Sequence, residues 1–159
     1  MLVCKWTYLP IATPKKMSSD VVLKCINSAI AEWNAAMYDL VRFEQSYGDS
    51  QIYLFFGSTI NYDLHPTRIA ECRSRGNNSW DIEFDIRRTW NTGTWWNKLI
   101  RGGENLKAAT LHEIGHTLRL PHASDPEFIM HPNIPDKGSF SKFESRKYRD
   151  FYSAKKYNP

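Results

Sequence analysis

Four of the five histidines fall between positions 112 and 131, and three of them keep a spacing that few folds can use. The stretch reads His112-Glu113-Ile114-Gly115-His116-Thr117-Leu118-Arg119-Leu120-Pro121-His122. On a helix, residues four apart differ by roughly 40° in azimuth and 6 Å in rise. His112 and His116 therefore present two imidazoles on one face, a separation that suits a tetrahedral zinc ion. Glu113 projects beside that ion rather than onto it, where a general base for a metal-activated water must stand. A helix continued for six more residues would swing His122 roughly 240° away from His116. For all three rings to reach one ion, the helix has to stop and the chain turn back. Pro121 offers the stop: it lacks an N–H and pushes Leu120 out of the helical region. In a chain of this composition, His-Glu-x-x-His with a third histidine ten residues after the first arises by chance about once in four thousand sequences.

The rest of the sequence supplies a frame for that helix. At 159 residues, 42% hydrophobic and 14% aromatic, the chain is long enough to bury a core, and residues 1–159 read as one domain. Lys5–Ile11 reads as a strand closed by Pro10, and Ser18–Met37 as an amphipathic helix capped by Ser18. Strand-like runs follow at Leu40–Tyr47, Gln51–Gly57, Arg68–Ser74 and Asp81–Ile86. In the last, Ile82, Phe84 and Ile86 alternate with Asp81, Glu83 and Asp85. Asn91–Gly103 reads as a loop, Asn105–Leu120 as the histidine-bearing helix, and Ser141–Tyr152 as a third helix opened by a Ser141–Glu144 capping box. This order predicts an α+β fold with a mixed, mostly five-stranded sheet and three helices.

Composition excludes some roles. No run approaches 18 consecutive apolar residues, so no membrane span is expected. Met1-Leu2-Val3-Cys4-Lys5 lacks the apolar core of a secretory signal, and the compartment stays undetermined. The net charge of +4 is spread along the chain, apart from Arg146, Lys147, Arg149, Lys155 and Lys156, so no nucleic-acid partner is expected. Cys4, Cys25 and Cys72 form no framework of pairs and are expected reduced and buried.

Beyond His122, the run Ser124-Asp125-Pro126-Glu127-Phe128-Ile129-Met130-His131-Pro132 resembles a Met-turn. With the histidine motif it makes the chain similar to the metzincin zinc peptidases, and among them to the matrixins. Arg68-Ile69-Ala70-Glu71-Cys72-Arg73-Ser74-Arg75-Gly76 resembles the matrixin edge strand, Asp81–Asp85 through Trp90 the next strand, and Phe140-Ser141 with Tyr148, Phe151 and Tyr152 the C-terminal helix. The resemblance implies a metzincin-like zincin fold and a zinc-dependent endopeptidase. His112, His116 and His122 would hold one catalytic zinc, and Glu113 would act as general base toward zinc-activated water. Met130 would form an apolar floor. An extended peptide would pair with the backbone of Ile69 and Ala70, and Ala109, His112, Pro132 and Ile134 would line a pocket for an apolar side chain. A monomer acting on protein or peptide is expected. The alternative is a zinc-binding interaction or structural module whose site is closed, for instance by Cys4 or His131, or misaligned.

Some positions depart from the matrixin pattern. Arg119 stands where the motif carries glycine, so either it bears a positive φ at a cost of about 1–3 kcal/mol or the turn is built differently. Glu71 and Glu83 occupy positions of structural-zinc histidines, His65 is a lone loop histidine, and Arg87 and Arg88 stand where acidic calcium ligands are usual. Neither a structural zinc nor that calcium is therefore expected. The Pro-Arg-Cys-Gly latency pattern is missing. Trp90, Trp95 and Trp96 are expected to pack rather than to roof the cleft.

Overall fold

The computed structural model describes residues 1–61, 63–94, 98–99 and 102–157, with side chains to 155. Trp95 and Trp96, and part of the loop expected at Asn91–Gly103, lie outside the described residues. Five strands form one sheet: β1 (Leu2–Leu9), β2 (Val41–Gln45), β3 (Ile52–Gly57), β4 (Ala70–Gly76) and β5 (Ser79–Asp85). Their spatial order is β2-β1-β3-β5-β4. The neighbours among β1, β2, β3 and β5 run parallel, and β4 alone is antiparallel, against β5. Helix α1 (Ser19–Ala36) makes the crossover from β1 to β2, which parallel strands require. Two further helices, α2 (Leu106–Thr117) and α3 (Lys142–Tyr157), complete the mixed α+β architecture.

Alternation sets the core. Ile52, Leu54 and Phe56 of β3, Ile82 and Phe84 of β5, and Trp6 of β1 turn one sheet face inward. Against them pack Val22, Ile26, Ala29 and Trp33 of α1 and Leu111 and Ile114 of α2. Trp33 also donates from its indole N–H to the Leu111 carbonyl at 2.9 Å, which binds α1 to the histidine-bearing helix. Ser18 caps α1, its hydroxyl accepting from the Val21 N–H. Trp90 is buried, gives its indole N–H to the Asp85 carbonyl at 2.8 Å and stacks edge-on against Phe56 and Phe84.

Several boundaries differ from the sequence expectation. β1 starts at Leu2 rather than Lys5, because its first residues pair with β2 from Leu2 opposite Val41 onward. α3 runs on to Tyr157, with Phe151 and Lys155 one turn apart on one face. A two-residue pair, β6 (Trp90–Asn91) with β7 (Glu104–Asn105), brackets the expected loop and ends at the threshold of α2.

Candidate active site

Helix α2 starts under the sheet with Asn105 as its cap, the side-chain oxygen accepting from the Ala108 N–H at 3.1 Å. From there His112 and His116 fall one turn apart on the face beneath β4. Nδ1 of His112 lies 2.7 Å from the Ile129 carbonyl, and Nδ1 of His116 lies 3.0 Å from the Leu120 carbonyl. A carbonyl only accepts, so each Nδ1 carries the proton and each Nε2 keeps its lone pair. The two Nε2 atoms are 3.1 Å apart, and neither has a proton to share. A tetrahedral zinc with bonds of about 2.0–2.1 Å separates neighbouring nitrogens by about 3.3 Å, so the pair is already set for one ion. His122 completes the group, with ligand atoms from the three rings all within 4.8 Å of one another. Burial pushes the His112 imidazole down to about 3, and burial lowers His116 and His122 as well. All three are thereby kept in the neutral form that binds metal. The residues present fit a zinc ion.

The return of the chain toward His122 is made at Arg119, not at Pro121. The Leu120 N–H bonds to the Gly115 carbonyl at 3.2 Å and the Arg119 N–H to the His116 carbonyl at 2.9 Å, a Schellman closure. Arg119 sits in the left-handed region at φ 60. The helix therefore ends at Thr117, short of the expected Leu120, and Pro121 only follows the turn.

Glu113 is 4% exposed. Burial pushes its carboxyl up to about 8 and the neighbouring Glu71 adds to this, while the Arg68 charge and the main-chain N–H of Cys72 pull the other way. Below, Met130 is fully buried, and its sulfur lies where a Cβ on Gly115 would fall. Gly115 thus lets the methionine press against the helix turn between two histidines.

Sequence reasoning missed what holds that floor in place. Glu144 is fully buried, and its carboxylate accepts from the Ile129 N–H at 2.5 Å, the Tyr148 hydroxyl at 3.0 Å and Lys137 at 2.5 Å. The Tyr148 hydroxyl in turn receives the Met130 N–H at 3.2 Å. Since the Ile129 carbonyl is the acceptor that orients His112, α3 reaches the site through one peptide unit. The capping box, with the Glu144 N–H on the Ser141 hydroxyl at 3.1 Å, was the visible part of this arrangement.

A cleft of about 600 Å³ runs over the three imidazoles. Ile69, Ala70, Pro132 and Ile134 line it, together with Arg68, Glu71, Glu104 and His65. Ala109, expected in the pocket wall, is instead fully buried and does not line the cleft. Its methyl is packed in the core. Among the described residues β4 pairs with β5 alone, so its other edge is open beside the cleft. Among the described residues, Cys4 and His131 stand apart from the histidine group: Cys4 pairs with Phe43 at the far side of the sheet, and His131 Nδ1 accepts from the Asn133 N–H at 3.1 Å. All three cysteines are free thiols.

Arginines occupy the neighbourhood expected to lack further metals. Glu83, fully buried, is held by Arg73 and by the hydroxyl and N–H of Thr59. Arg87 grips the buried Asp85 carboxylate at 2.8 and 3.2 Å and donates to the Ile60 carbonyl at 2.7 Å.

An α+β fold that gathers three imidazoles and a buried carboxyl beneath an open sheet edge is of the metzincin class. The matrixin family profile matches residues 4–150, and the chain belongs to that family of zinc metallopeptidases. Human neutrophil collagenase is 32% identical over 127 residues, 76% of this chain and 25% of that protein. Human matrix metalloproteinase-20 is 29% identical over 131 residues, 78% of this chain and 25% of its own length. Metalloendoproteinase 1 of Glycine max is 23% identical over 138 residues, covering 79% of this chain and 42% of its own. The chain thus spans less than half the length of these relatives.

Proposed function

We propose that this chain is an endopeptidase holding one zinc ion through His112, His116 and His122, with Glu113 as the general base. The convergence of three neutral imidazoles on the floor of an open cleft carries the reading. When bound, zinc supplies Lewis acidity: it polarises the peptide carbonyl and lowers the pKa of water. The side chains of the protein do the rest. Glu113, whose ionised form the charge of a bound cation would favour over the neutral form that burial alone imposes, takes the proton of the attacking water and, once protonated, delivers it to the leaving amine. The backbone of Ile69 and Ala70, where the chain enters the open edge strand β4, pairs with an extended substrate by strand addition, although the Ile69 carbonyl is already taken by the Asp85 N–H. Pro132 and Ile134 offer an apolar wall to one substrate side chain, and Met130 keeps the floor closed.

Zinc-replete Glu113→Gln is expected to keep one zinc per chain and to lose casein hydrolysis by at least about a hundredfold, the usual scale of a general base. A variant with full activity would end this reading. Zinc bound normally by wild type with no cleavage of any protein would favour a purely structural or interaction role.

A further inference from the structure

We propose that Arg68 recognises a carboxylate side chain of the substrate close to the bond that is cut. The proposal rests on the peptidase reading above. Arg68 lies two residues before the edge strand and lines the cleft together with Glu113 and His122. Its side chain is 36% exposed, so the guanidinium is reachable from the cleft.

Its backbone is pinned from several sides. The Arg68 N–H bonds to the His65 carbonyl at 3.1 Å, and the Ile69 carbonyl accepts from the Asp85 N–H at 2.9 Å. Arg88 reaches the Pro66 carbonyl at 2.6 Å and the Arg68 carbonyl at 3.5 Å. A guanidinium on such a base is aimed by the fold.

The fork itself is half used. Glu71 engages Nη1 alone, at 2.6 Å, and among the described residues Nη2 and Nε carry no protein partner. Two donors on one side of a planar guanidinium match the two oxygens of a carboxylate. Glu71 does not depend on Arg68, because Arg73 Nη1 also reaches it at 3.4 Å. Arg68 can therefore lean to a second acid while Glu71 keeps a cation. The remaining acids lining the cleft are Glu104 and Glu113, and Glu113 is buried. Among the described residues lining the cleft, Arg68 is the one strongly cationic side chain offered to an incoming acid, and its pull should weaken with salt.

Matched peptides that exchange Asp for Asn, or Glu for Gln, at each of three positions on either side of the cleaved bond test this on the zinc-loaded protein. At one position the acid is expected to be preferred by about tenfold in kcat/KM, the scale of a charge-assisted pair. In Arg68→Gln that ratio falls to about one, while Arg68→Lys, which keeps the charge without the fork, retains part of it. Zinc content reports that both variants are folded. Equal rates for acid and amide peptides at every position, or a preference that survives Arg68→Gln, overturn the proposal alone. Wild type that takes up zinc and cuts no peptide overturns the peptidase reading and this proposal with it.

Discussion

Arg119 holds a backbone conformation that glycine adopts freely and an L side chain does not, and it does so at the turn that sends His122 back to its partners. The side chain recovers little: it is exposed, with one bond to Asn78 at 3.3 Å, while its carbonyl accepts from Lys155 at 3.4 Å. Arg119→Gly should therefore raise stability by about 1 kcal/mol. In a chain of this size that is about 2–4 °C in Tm. Zinc stoichiometry should be unchanged; a lower Tm would show that Arg119 is held by more than its local backbone. From sequence the position was visible as a departure, but whether arginine or a rebuilt turn bore the strain was not. The answer lies in hydrogen bonds to Gly115 and His116, and both backbone geometries are open to the same residues.

Helix α3 shows how one element acts on another at a distance. Glu144 holds the Ile129 N–H, Tyr148 holds the Met130 N–H of the next peptide, and the carbonyl of that peptide, from Ile129, orients the His112 ring. Outer partners of this kind are worth about 10–100-fold in metal affinity. Glu144→Ala is expected to weaken zinc binding by that factor in a chelator competition, with Tyr148→Phe affected less; unchanged affinity in Glu144→Ala would cut the link between α3 and the site. The capping box was legible because it is local, Ser141 to Glu144. Its second use was not, since the Ile129 N–H lies fifteen residues away and only the fold brings it near. The same holds for β6 and β7, two-residue strands whose pairing of Trp90 with Glu104 leaves no periodic trace. His112, Glu113 and His116 were readable since a helix fixes their relations by spacing alone, whereas His122 lies beyond the helix end at Thr117 and was readable only from the motif and the chain reversal it demands. The start of β1 was misjudged because its first residues, Leu2 and Val3, are exposed and give no alternating signal.

At the scale of the whole molecule the core stands largely apart from the histidines. Trp6, Trp33, Leu54, Phe56 and Phe84 close it between sheet and helices without any metal-binding atom. The fold is expected to survive chelation, with near-native far-UV circular dichroism, while zinc adds stability by mass action. At a free zinc concentration a hundred times Kd that is about 2.7 kcal/mol, or about 5–11 °C in Tm. Collapse of the secondary structure on chelation would mean that the ion builds the fold. The open flank of β4 has a different consequence. Unpaired amides along a strand invite any extended chain, sister molecules included. On β4 the face turned away from the core carries Glu71, Arg73 and Arg75, each tied into ion pairs: Arg73 with Glu71 and the buried Glu83, Arg75 with Asp81. Stacking two such sheets flank to flank would crowd those charges together, whereas a lone slender peptide slips in beside them, so the border that welcomes a guest also discourages self-association.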